Sequence, residues 1–214
     1  MLHIVIATRN PQKFAELQQL LRVPGIRWRS LAEFPKAPRV QEHGRTFDAN
    51  AIKKARAVAR ATGCLALADD SGIEVQALDG APGIHSARFA GAHGDDRANN
   101  KKLLRLMRGV PSKRRGVRYQ CTLALADASR VLAITRGSWA GRLTTAPRGR
   151  GGFGYDPIVV IPRRGATVAQ LPKRVKRRHS HRAKAAQRLL PVLQKLVGAS
   201  RTSGRAQPIG RRGS

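Results

Sequence analysis

Negative charge is what this sequence has least of. Its 12 Asp and Glu stand against 42 Lys and Arg, a formal net charge of +30. That balance favours polyanionic partners (nucleic acid, nucleotides, an anionic membrane) without choosing among them, and a general bias toward arginine produces the same figure. Cysteine is nearly absent. Cys64 and Cys121 both lie in apolar stretches and read as buried free thiols rather than a disulfide. No C-x-x-C or paired-His spacing occurs, which excludes the common zinc modules. No apolar run reaches the ~18 residues of a membrane span, and the opening "MLHIVIATRN" is too short in its apolar part for a signal peptide. The Walker pattern and internal repeats are also missing, so a P-loop nucleotide hydrolase or a repeat array is excluded. The expectation is a cytoplasmic protein with no membrane partner.

What is present is enough for a substantial core: 214 residues, 41% of them hydrophobic. "LHIVIAT" (2–8) reads as a buried strand. "NPQKFAELQQLLR" (10–22) reads as a helix with Asn10 as N-cap and Pro11 in the first helical position. A strand is expected in "GIRWRSLAEF", a helix over 46–63 ended by Gly63, and a strand over 64–69. "DDRANNKKLLRLMRGV" predicts a helix, 118–127 and 130–141 two neighbouring strands, and 148–162 a glycine-rich loop running into a strand. Residues 180–197 predict a closing helix capped by Ser180 and kinked at Pro191. This order implies a mixed α/β fold, part parallel and part antiparallel. Residues 1–197 form one domain in this reading. The Gly, Ser, Pro and Arg of 198–214 predict a basic, disordered tail able to make weak, salt-sensitive contact with polyanions.

The scarce acids are not spread evenly. "LALADDSGIEV" places Asp69 and Asp70 side by side after an apolar run. At the carboxyl end of a strand, such a pair lies where open α/β sheets bind ligands. Adjacent carboxylates repel unless a cation or donors compensate, and Mg²⁺ held by a carboxylate and substrate phosphates would do so. Turn capping by Asp with Ser71 and Gly72 is the plainer alternative. Alternation along a strand lets only one of the pair face the site squarely.

Three other stretches carry chemistry. "TRNPQK" (8–13) leads from a strand into a helix N-terminus, where free N–H groups, the helix dipole and Lys13 favour an anion. A generic turn with a solvated lysine is the alternative. "GGFGYDP" (151–157) sets two aromatics among glycines, so a ring could stack on a nucleobase or else enter the core. "SHR" (180–182) offers imidazole and guanidinium donors at a helix start, or simply a charged first turn.

Taken together, "TRNPQK", "EHGRTFDANAIKKA", "ALADDSGIEVQALDGAPGIHSARFAG", "GGFGYDPI" and "SHRAKA" closely resemble the Ham1/RdgB family of inosine/xanthosine triphosphate pyrophosphatases, from about Leu2 to Val197. The resemblance implies a homodimer of elongated, two-lobed α/β subunits with the substrate cleft between the lobes. It implies Mg²⁺-dependent hydrolysis of ITP, dITP, XTP and dXTP to monophosphate and pyrophosphate. Carried onto this chain, Thr8, Arg9, Asn10, Pro11, Gln12 and Lys13 form the phosphate loop, and Lys53 is a further phosphate contact. Asp70 is proton acceptor and metal ligand, with Glu42 the second metal ligand. Ser71 touches substrate. Phe153, Gly154, Tyr155 and Asp156 form the base pocket, completed by Lys176, His181 and Arg182. Departures from the family pattern are Arg9 in place of a small residue, Gln41 in place of an acid, Gln170 in place of Glu, and the lack of any acid after Asp156. Two other readings remain at this stage: a basic nucleic-acid-binding protein with an idle nucleotide site, and a Maf-type pyrophosphatase for other altered nucleotides.

Overall fold

The computed structural model describes residues 1–203, with side chains through residue 200. One sheet runs through the molecule in the order β2-β1-β3-β5-β6-β7-β8, with a short β4 also paired to β3. The strands are β1 (Leu2–Ile6), β2 (Ile26–Ser30), β3 (Leu65–Val75), β4 (Pro82–Gly83), β5 (Gly116–Ala126), β6 (Val131–Leu143), β7 (Val159–Ile161) and β8 (Ala166–Thr167). The helices are α1 (Pro11–Leu20), α2 (Phe47–Thr62), α3 (Asp96–Leu106), α4 (Lys173–His179) and α5 (His181–Ser203). β1 is parallel to both β2 and β3, and every other pairing is antiparallel. The mixed fold expected from the element order is therefore the one observed.

The helix ends follow their local chemistry. The Asn10 side chain accepts from the backbone N–H of Gln12 and Lys13, and Thr46 accepts from Ala49. Gly63 takes the left-handed conformation that ends α2 (φ 68°). Ser180 Oγ accepts from the Ala183 N–H at 3.1 Å to start α5. That helix continues through Pro191 and past Val197 to Ser203, so the first residues assigned to a disordered tail are helical. The rest of the tail, and the polyanion contact expected of it, lie outside the described residues.

Layering comes from strand alternation. Leu67, Leu123 and Leu125 lie in one cluster with Leu17 and Leu21 near α1 and with Ala185 and Leu189 of α5. The intervening Ala66, Ala68, Ala124 and Ala126 pack on Ala51, Ala55, Val58 and Ala59 of α2. Small residues on both sides let α2 lie close to the sheet. A third cluster joins the far ends of β3, β5 and β6 to α3 and the β7 region through Ile73, Trp139, Met107 and Ile158. The long strands β3, β5 and β6 thus connect two packed regions.

β3 corrects one expectation. Asp69 and Asp70 do not end a strand but lie inside an 11-residue one. β1 covers its edge only as far as Leu67, and β4 covers it again from Ile73. β5 continues along the opposite edge throughout, pairing Asp69 with Leu123 and Asp70 with Thr122. The expected strand end is therefore the end of the parallel pairing. The "SG" that reads as a turn stays extended, paired with Cys121 and Gln120 of β5, and residue 72 must be glycine because a Cβ there would collide with Ser86 and the Gly83 carbonyl.

Candidate active site

A cleft of about 900 Å³ opens where the edge of β3 is uncovered, lined by residues of the 8–13 stretch, β3 and the glycine-rich loop. Strand alternation sends the two aspartates to opposite faces of the sheet, toward different helices. Asp69 faces α1 and α5, and Asp70 faces α2.

Asp69 is saturated. Its Oδ1 accepts from Lys13 Nζ at 2.6 Å and Ser71 Oγ at 2.8 Å. Its Oδ2 accepts from Arg182 Nε at 2.8 Å and Cys121 Sγ at 3.3 Å. Burial opposes its charge, but Arg182 and Lys13 overcome this and hold its pKa well below the usual carboxylate value. Asp69 is a fixed anion that organises cations.

Asp70 differs in each respect. Its Oδ1 accepts from Lys54 Nζ at 2.8 Å, while its buried Oδ2 has no hydrogen-bond partner among the described residues. Burial, outweighing the Lys54 ammonium and aided by the Glu42 carboxylate, raises its pKa. An unpaired carboxylate oxygen with raised basicity, on a residue that lines the cleft, is suited to accept a proton or bind a cation. Glu42 lies across Lys54 from it, its Oε1 at 2.8 Å from Nζ. Burial raises the Glu42 pKa but Lys54 more than offsets this, leaving it low and the group ionised. Among the described residues no group of three or more His, Cys, Asp or Glu is placed to hold a metal ion. Two hard oxygen donors with one oxygen unpaired nonetheless fit a Mg²⁺ ion that takes its other ligands from phosphates and water.

The phosphate loop is built differently from expectation. The N–H groups of Gln12 and Lys13 are not free, since Asn10 Oδ1 takes both at 2.9 and 3.1 Å. The Asn10 N–H itself donates to Thr8 Oγ1. Positive charge here comes from side chains and the α1 dipole rather than bare amides. Arg9 donates to the Ala37 carbonyl at 3.0 Å, so this departure from the family pattern ties a neighbouring loop to the cleft edge. Lys53, expected at the phosphates, is exposed and does not line the cleft, whereas its neighbour Lys54 does.

In the glycine-rich loop only part of the expected base pocket is free. Phe153 stays half-buried, with Lys176 Nζ 4.2 Å and the Arg182 guanidinium carbon 5.6 Å from its ring centroid. Tyr155 is turned into the core and donates its hydroxyl to the Ser86 carbonyl at 2.8 Å. Gly154 donates its N–H to Asp96 at 2.6 Å and accepts from Asn100, so α3 fixes the loop. Asp156 is buried and accepts from Tyr119 Oη, the Phe153 N–H and Lys176 Nζ. It braces the pocket rather than facing it. Gly152, at φ 73°, is required because a Cβ there would fall on that carboxylate.

His181 stacks on Tyr119, with ring centroids 4.8 Å apart and planes 8° from parallel. Burial and the neighbouring Arg182 charge hold its pKa well below 6.5, so the ring is neutral near pH 7. Its buried Nδ1 lacks a partner among the described residues. Arg182 is almost wholly buried and also binds Glu16 and Ser71. Glu16, unremarked in the sequence, holds both Arg182 (2.6 Å) and Lys176 (2.7 Å). Gln170 accepts from the Thr167 N–H and hydroxyl, a local capping contact that its amide oxygen makes without a charge. Both cysteines are free, Cys121 buried and Cys64 half-buried.

A mixed α/β scaffold whose few acids meet lysines, arginines and a half-buried aromatic ring in one cleft defines a protein of the phosphorylated-ligand class. Comparison with known proteins narrows that class. The Ham1 family pattern matches residues 4–192. A dITP/XTP pyrophosphatase of Desulforamulus reducens is 47% identical, over 90% of this chain and 96% of its own, and one of Geobacillus kaustophilus is 46% identical, over 92% and 97%. The solved structure of a HAM1 protein from Coxiella burnetii superposes with a TM-score of 0.83 at 40% identity, covering 91% of this chain and 100% of that one. The chain belongs to the Ham1 family.

Proposed function

We propose that this chain hydrolyses non-canonical purine nucleoside triphosphates, namely ITP, dITP, XTP and dXTP, to the monophosphate and pyrophosphate, removing deaminated purines from the nucleotide pool. The observation that carries the reading is the division of labour between the paired aspartates, one saturated and one with a free, basic oxygen. The relatives' activity and the family membership support it. The Maf-type alternative does not survive that membership, and an unpaired Asp70 oxygen is not the mark of an idle site.

Water attacks the α-phosphorus and pyrophosphate departs. Asp70 Oδ2 orients that water and accepts its proton. Lys13 and Lys54 lie beside the acids and offset charge developing on the phosphate oxygens. Mg²⁺ would be held by Asp70 and Glu42, and when bound it neutralises charge on the phosphate oxygens. The purine lies against Phe153. Hypoxanthine and xanthine carry a carbonyl at position 6, which can accept from a neutral His181 N–H and the remaining Lys176 N–H. Adenine's amino group would leave those donors unpaired, a loss of about 1–3 kcal/mol for each buried group. The same reading takes the enzyme as a homodimer acting in the cytoplasm.

The test is a panel of ITP, XTP, dITP, ATP and GTP with and without Mg²⁺, following pyrophosphate. Release from the first three alone, and only with the ion, supports the proposal. Equal release from ATP, or none from ITP, refutes it.

A further inference from the structure

Lys54 is placed where a lysine that only awaits a phosphate would not need to be. Its ammonium carries three N–H donors, and the structure uses all three on the acidic cluster. Nζ is 2.8 Å from Glu42 Oε1, 2.8 Å from Asp70 Oδ1 and 2.7 Å from the Asp69 carbonyl oxygen. The carbonyl is available because β3 has no partner strand on that edge between β1 and β4. The ammonium therefore bridges the same two carboxylates that fit a divalent ion, while Asp70 Oδ2 beside it stays unpaired.

We infer that Lys54 is a resident counter-ion that keeps divalent metal off the Glu42–Asp70 pair until a nucleotide arrives, so that metal binding is conditional on substrate. This rests on the proposed triphosphate substrate. Only one cation fits between the carboxylates at a time. Withdrawing the ammonium with nothing in exchange leaves two negative charges facing each other, with side chains only 19% and 7% exposed. Adding a divalent ion without moving it sets three positive charges against two negative ones in the same small volume. A metal–triphosphate complex removes both penalties. Glu42 and Asp70 would then hold the ion, and the Lys54 ammonium would swing on its four-carbon stem to the phosphates. Lys13 cannot substitute for Lys54, because Asp69 already holds it on the other face of the sheet.

The test uses Mn²⁺ alone, titrated into nucleotide-free full-length protein by calorimetry and by loss of the free-ion electron paramagnetic resonance signal. Lys54→Met should bind Mn²⁺ at least about tenfold more tightly than wild type. Adding Glu42→Gln to Lys54→Met should abolish that gain. Unchanged or weaker binding by Lys54→Met overturns the inference, as does a gain that persists in the double variant, which would place the ion elsewhere. If Lys54→Met fails to fold, Lys54→Gln, uncharged but able to donate to one carboxylate, carries the same expectation. Because ion binding is read without turnover, failure of ITP hydrolysis alongside tighter Mn²⁺ binding would remove the substrate reading, and the coupling to nucleotide with it, while leaving the competition between Lys54 and the ion for Glu42 and Asp70.

Discussion

The same substitution at the two neighbouring aspartates should have opposite consequences. Asp69→Asn removes a charge that Lys13 and Arg182 both contact, at 2.6 and 2.8 Å, in a site where Asp69 is 2% and Arg182 1% exposed. The amide would have to turn its NH₂ toward either the ammonium or the guanidinium. Removing one partner from a buried ion pair costs about 3–5 kcal/mol. For a chain of this size about 2–4 °C of melting temperature corresponds to each kcal/mol, so Asp69→Asn should melt about 6–20 °C below wild type. Asp70→Asn removes a charge that its surroundings already disfavour and leaves Lys54 bound to Glu42 and the Asp69 carbonyl. Its melting temperature should stay within about 4 °C of wild type. Its turnover of ITP should nonetheless fall about 10²-fold or more, the usual loss for a general base. Thermal melts read beside steady-state kinetics make the comparison. If Asp69→Asn melts with wild type while Asp70→Asn loses the stability, or if Asp70→Asn keeps near-normal turnover, the division of roles is wrong.

Other expectations follow from the same contacts. Glu16→Gln should raise KM for ITP about tenfold with little change in kcat, because Lys176 and Arg182 lose a shared anchor and the base pocket loosens; an unchanged KM in steady-state assays would show that Glu16 positions nothing. Stability should fall as the pH drops below 6.5, at up to about 1.4 kcal/mol per unit, because the unfolded chain takes up a proton on His181 that the folded one resists. That slope, measured by urea unfolding between pH 7.5 and 5, should shrink in His181→Phe, which keeps the stack on Tyr119. Lys53→Ala should leave kcat/KM within about twofold of wild type and Lys54→Ala should lower it by tenfold or more; the reverse order would reinstate the exposed lysine.

Elements whose signals are local were legible in the sequence. Asn10 and Ser180 cap helices, Gly63 ends one, and the apolar runs of β1, β5 and β6 lie in the sheet. What failed needed a partner from elsewhere. β3 runs through "DDSG" because β5 pairs along its whole length, and no window around Asp70 contains that information. The basic α4 has no apolar stripe to betray it. Of the site, the acids and the motif loops were visible, but not which of them are already engaged. Asn10 consumes the amides expected for phosphate, and Tyr155 and Asp156 serve the core. Lys54 was within reach. It lies three residues after Ala51 and four before Val58, on the flank of the buried stripe of α2, whereas Lys53 does not. Glu16 meets its partners only in three dimensions.

The most direct measurement is the product balance of a single reaction: purified protein, ITP and Mg²⁺, with nucleotide and phosphate products resolved by anion-exchange chromatography. Attack at the α-phosphorus by water activated at Asp70 predicts inosine monophosphate and pyrophosphate in equal amounts from the first turnover. Inosine diphosphate with orthophosphate, or unchanged ITP, would contradict the account.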